Sequence, residues 1–167
     1  MPDTGLLLPG SASQGAGWLN PTNLLADDGA VASSNGTQTS SGNLRAFNYT
    51  FGLPNGIYDM EGIQAEIEVT SITGTITLNV SFMTNGTAGI GVPKTIAATG
   101  VHTLGGEGDL WSTGITPDLI ISQGSSVGLV IQLESLAGGQ ASIDYAKLRL
   151  FYGWKPLSRI DWSRFPK

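Results

Sequence analysis

Cysteine is absent from all 167 residues, which rules out disulfides and thiolate metal sites. Histidine occurs once, at His102. A histidine-based triad would need it beside an activated serine and an acid, and the chain has no Gly-x-Ser-x-Gly elbow. A structural role for His102 is preferred, because geometry and not mere presence makes a triad. Charge is scarce: Asp, Glu, Lys and Arg make up 13% of the chain, about half the usual share. No apolar run approaches the length that crosses a membrane, so no membrane partner is expected. "GLLLPG" at residues 5–10 lacks the basic start of a signal peptide. No extended window carries a capped apolar stripe of helical period, so very little helix is expected.

What is abundant points to β-structure. Twenty-four glycines and recurrent Ser and Thr accompany an apolar content of 40%. Such a surface is polar through hydroxyls and amides, and so few charges are best tolerated in an assembly. Residues 1–42 are broken up by Gly, Pro, Ser and Asn. They read as an extended arm with at most one short strand near residues 30–33. From residue 44 the period becomes two. "LRAFNYTF" sets Phe47, Tyr49 and Phe51 on one face. "GIQAEIEVTSI" turns Ile63, Ala65, Ile67 and Val69 inward, and "TGTITLNVSFMT" does the same with Ile76, Leu78, Val80 and Phe82. Gly74 between them reads as a hairpin corner.

Further strands are expected at "PKTIAATGVHT", "DLWS", "SVGLVIQLES" and "ASIDYAKLRLFYGW". In the last of these Ile143, Tyr145, Lys147, Arg149 and Phe151 should alternate with Asp144, Ala146, Leu148, Leu150 and Tyr152. Short strands at this spacing predict an all-β, antiparallel β-sandwich, a jelly roll of about eight strands. The expected organisation is an arm over residues 1–42, a sandwich over 43–154 and a second arm over 155–167.

That second arm differs from what precedes it. Up to Trp154 the chain holds four basic and twelve acidic residues, a balance of −8, whereas from Lys155 onward four basic residues face Asp161 alone. Pro156 and Pro166 disfavour a continuing strand. Aromatics and arginine anchor protein interfaces. Trp154, Arg159, Ile160, Trp162, Arg164 and Phe165 are therefore the expected partner-binding residues.

Chemistry finds little purchase elsewhere. Glu66 and Glu68 could form a carboxylate pair for glycoside hydrolysis, but they point to the same exposed strand face without a cleft. Asp27-Asp28 and Glu107-Asp109 are of the type that binds calcium, yet both lie in glycine-rich turns where acids stabilise the backbone directly. Leu110-Trp111 reads as a plug whose indole N–H is tied to a nearby carbonyl. "GGEGD" lacks the lysine and helix of a phosphate loop. The acidic balance disfavours nucleic acid. No cofactor, metal or catalytic residue is expected, and the chain is not expected to be an enzyme.

Three stretches, "GWLNPTNLLADDGAVAS", "LRAFNYTFGLPNGIYDMEGIQAEIEV" and "LGGEGDLWSTGITPDLI", resemble in order a group of small bacteriophage and prophage virion proteins. The resemblance spans about Trp18 to Tyr152, with Trp111-Ser112 where the group usually has Trp-Gly. It implies a jelly-roll virion component, of the head-decoration or the tail and receptor-binding kind, and brings no catalytic residues. The expected function is a capsid-decoration protein that cements neighbouring capsid subunits. Its expected partners are copies of itself, as a trimer, and the major capsid protein or other virion proteins; its expected place is the virion. The competing expectation is a tail or carbohydrate-binding jelly roll, with Trp18, Tyr58 and Trp111 as a sugar platform.

Overall fold

The computed structural model of the chain describes residues 1–35, 42–54, 58–135 and 138–154, without the side chains of 87–89 and 135. Among the described residues ten strands are formed: β1 Ser11–Gln14, β2 Trp18–Leu19, β3 Ala32–Ser34, β4 Leu44–Phe47, β5 Tyr58–Thr73, β6 Ile76–Thr84, β7 Thr87–Ile96, β8 Gly100–Glu107, β9 Gly128–Ser135 and β10 Gln140–Trp154. They make two five-stranded sheets, in the orders β1-β4-β9-β6-β7 and β2-β3-β10-β5-β8, and every pairing is antiparallel.

The order of the last eight strands is informative. β3 pairs with β10, β4 with β9, β5 with β8 and β6 with β7. Those are four nested antiparallel pairs, folded over so that alternate pairs fall in opposite sheets. This is the jelly-roll winding, and the fold is the all-β sandwich that the period-two pattern implies. β1 and β2 add one edge strand to each sheet.

Between the sheets lies one apolar core. Ile63, Ala65, Ile67 and Val69 of β5 and Ile76, Leu78, Val80 and Phe82 of β6 are buried in it, as their alternation requires. Gly74, at φ 75°, turns the chain between these strands. They do not pair, however; the corner carries the chain from one sheet to the other. A period of two identifies a strand's inner face but not which strand it lies beside.

Other expectations need correction. Residues 1–35 are no separate arm. They form three strands, and residues 2–7 run along β10, where Leu7 and Leu148 exchange backbone hydrogen bonds of 3.0 and 2.9 Å. "PKTIAATGVHT" is split between β7 and β8, on the edges of different sheets. "DLWS" is a turn in which Trp111 and Ser112 take φ of 52° and 55°. Asn48, at φ 63°, ends the alternation of Phe47, Tyr49 and Phe51. In β10 the register slips between Ile143 and Ala146. That bulge puts Ile143 on the same inner face as Ala146, Leu148 and Leu150, all four fully buried.

Among the described residues one short α-helix, α1 (Pro117–Gln123), and two 3-10 turns, Pro21–Leu25 and Gly124–Ser126, depart from the all-β pattern. Thr116 caps α1, its hydroxyl accepting from Leu119 N–H at 3.3 Å, and Pro117 starts it. The signal is in "TPDLIISQG", a cap residue, a first-turn proline and a closing glycine, on a segment too short to show a stripe.

Candidate functional site

The six residues expected to bind a partner are divided by the structure. Trp154 is the last residue of β10, opposite Tyr58, and is 59% exposed. Arg159, Ile160, Trp162, Arg164 and Phe165 lie outside the described residues. Beside Trp154, the rings of Tyr58 and Tyr152 meet at 5.5 Å. The Tyr58 hydroxyl is buried and has no hydrogen-bond partner among the described residues. Burial first, then the neighbouring Asp118 carboxylate, raise its pKa.

The proposed sugar platform does not exist. Trp18, Tyr58 and Trp111 are 1%, 3% and 1% exposed, and stacking on a sugar needs an open ring face. Trp111 is instead the plug expected of it. Its indole N–H donates to the Ile63 carbonyl at 3.1 Å, and its own carbonyl accepts from Val92 N–H at 2.7 Å.

The acids and the histidine serve the fold. His102 Nε2 lies 2.8 Å from the Ala98 carbonyl, closing the turn before β8. Gly29, at φ 81°, follows Asp28, whose carboxylate accepts from Ala30 N–H at 3.0 Å. Asp109 accepts from Lys94 at 2.7 Å and from Trp111 N–H at 2.9 Å, and these bonds, the lysine's first, lower its pKa. On the outer face of β10, Lys147 pairs with Asp27 at 2.9 Å and Glu66 at 3.5 Å and lies over the Tyr145 ring. Burial works to lower the lysine's pKa, but the Asp27 hydrogen bond, Tyr145 and Glu66 outweigh it and raise it. Arg149 lies over Phe151, 3.6 Å from Asp3.

Asp27, Glu68 and Asp144 bring carboxylate oxygens within 4.8 Å of one another. Their positions in sequence give no hint of this, since the bulge and the β2–β3 loop bring them together. Hard oxygen donors of this kind suit calcium. Yet Asp144 already accepts from Gly29 N–H at 3.1 and 3.2 Å, and Asp27 holds Lys147, so the cluster has a structural use.

Sequence reasoning missed a cavity on the outer face of the β1-β4-β9-β6-β7 sheet. It holds about 230 Å³ and is lined by Ser13, Arg45, Phe47, Met83, Ser125 and Ser126. In the register of the sheet Phe47 and Met83 both stand opposite Gly128. The loop of Ser125 and Ser126 is held beside the cavity, where the Ser126 carbonyl accepts from Gly86 N–H at 3.3 Å.

No family model matches this chain. No curated protein matches it either.

Proposed function

We propose that this chain is a structural virion protein of a bacteriophage, a capsid-decoration protein that binds neighbouring capsid subunits through its C-terminal segment. The observation that carries the reading is the exit point of that segment. An acidic jelly roll ends at an exposed Trp154, and the next residues are the basic, aromatic stretch from Lys155 onward. Aromatic anchors supply contact area, and interleaved cations steer them onto acidic surface. The ordered likeness of residues 17–33, 44–69 and 104–120 to small virion proteins supports the same reading.

Self-association, as a trimer, is part of the proposal. Edge strands offer unpaired backbone groups to a neighbour, and three edges here also expose an aliphatic side chain: Leu19 on β2, Val92 on β7 and Val101 on β8, at 49%, 56% and 56%. Two measurements test the reading. Antibody labelling of purified particles in the electron microscope is expected to decorate heads; label on tails, or none, overturns capsid decoration. A chain truncated before Lys155 is expected to keep its circular dichroism and lose head binding. Undiminished binding would refute the role of the segment.

A further inference from the structure

Four side-chain cations lie among the described residues, and three have carboxylate partners: Lys94 with Asp109, Lys147 with Asp27 and Glu66, and Arg149 with Asp3. Arg45 has none. Its Nε is buried and makes no hydrogen bond to any described residue. Arg45 as a whole is only partly buried, so the cost falls on this one N–H, which is out of reach of solvent and has no described acceptor. Arg45 is nonetheless held in place, because β4 is paired on both sides: Ser13 stands opposite it on β1 and Val130 on β9.

The surroundings complete the pattern. Arg45 lines the 230 Å³ cavity together with three serines, and no acidic residue is among its lining residues. The remaining wall is apolar, from Phe47 and Met83. Met83 is 1% exposed although it alternates with the inward Phe82 and so points away from the inter-sheet core. A fork of N–H donors, hydroxyls at its rim and an apolar wall describe a receptor for an anion with an apolar body.

The geometry points to Arg45 and its cavity as a binding site for a small organic carboxylate. The carboxylate takes the guanidinium fork, where two parallel hydrogen bonds match its shape. Ser13, Ser125 and Ser126 hydroxyls are placed to donate to the same oxygens, and the ligand body lies against Phe47 and Met83. A polyanion is a poor occupant, because the −8 balance of residues 1–154 repels extended negative charge. None of these residues belongs to the C-terminal segment, and the role proposed for that segment on a particle plays no part in the binding.

Titration calorimetry on the full chain tests this with three probes. Benzoate is expected to bind, at about millimolar affinity. Benzamide, its uncharged relative, and inorganic phosphate, which has charge but no apolar body, should each bind about tenfold more weakly or not at all. Arg45→Gln should abolish benzoate binding while keeping the fold, since the side chain has no described hydrogen bond to lose. Ser126→Asp, which sets a carboxylate at the cavity rim, should abolish it too, and carries the test if the first variant does not fold. Absence of benzoate binding overturns the assignment, as does equal binding of benzamide or phosphate. Undiminished binding by either folded variant also overturns it.

Discussion

Removing the hydroxyl of Tyr49 should loosen the two sheets from each other, by an amount that depends on pH. Tyr49 follows β4 in one sheet, is 4% exposed, and donates its phenol hydrogen bond to the Ala146 carbonyl of β10, in the other sheet, at 2.7 Å. Tyr49→Phe keeps the ring and its stacking on Phe51 at 5.8 Å but leaves a buried carbonyl without this donor. That costs about 1–3 kcal/mol, or a fall in Tm of about 2–4 °C for each kcal/mol in a domain of this size. Burial also raises the Tyr49 pKa well above its ordinary 10.0. The folded protein therefore holds this proton where the unfolded chain releases it. Stability is full below the unfolded value and falls as pH rises above it, by up to about 1.4 kcal/mol per pH unit from this one group. The phenylalanine variant escapes that loss. Urea unfolding of both proteins from about pH 8 to about pH 11 should show the wild-type advantage shrinking once pH passes 10.0. An advantage that stays constant across that range, or none at neutral pH, would refute the reasoning.

Leu148→Ala removes a fully buried side chain at the centre of β10 and should cost about 2–5 kcal/mol by urea unfolding. Gly105→Ala should cost about 2–4 kcal/mol, because a methyl group there meets the Ile63 carbonyl and the Trp111 indole nitrogen at φ +72°; a thermal melt unchanged from wild type would contradict the packing described for Trp111. Asp109→Asn should lose less than about 1 kcal/mol at neutral pH, since both partners are partly exposed. Its pKa is lowered from 3.8, so the wild-type advantage is present above that value and should vanish as pH falls through the folded one. An advantage that survives in acid would remove Lys94 as the cause.

The sandwich was legible wherever a strand has one buried and one solvated face. β5 and β6 alternate for that reason, and the inward residues of both were read from the sequence. Jelly-roll winding was read only as a class, because side-chain periodicity carries no information about which strands pair. The failures share a cause in backbone conformation that composition does not display. Asn48, Trp111 and Ser112 take positive φ without being glycine, so two apparent strands end in turns. Residues 2–14 pair through backbone groups with β10 and β4, and such pairing leaves no apolar pattern to detect.

The Arg45 cavity was illegible for a related reason, yet its chemistry follows from the charge scarcity seen at the outset. Its wall is assembled from β1, β4, β6 and the turn before β9. No local pattern encodes a row of residues across a sheet. With twelve acids to four bases up to Trp154, a cation can easily find a partner, and Lys94, Lys147 and Arg149 each do. Those three tie a turn, the β2–β3 loop and the N-terminal segment to the sandwich. Arg45 ties down nothing described. Its neighbours on the same outer face are hydroxyl-bearing or apolar: Ser11 and Ser13 on β1, Val130 on β9, Ser81 on β6. A single Glu in place of one of the three serines, each only partly buried, could supply the missing counter-charge at little cost, since exchanges near the surface usually change stability by less than about 0.5 kcal/mol. Stability alone therefore gives no reason for the guanidinium to stay unpaired, and a carboxylate arriving from outside the chain does.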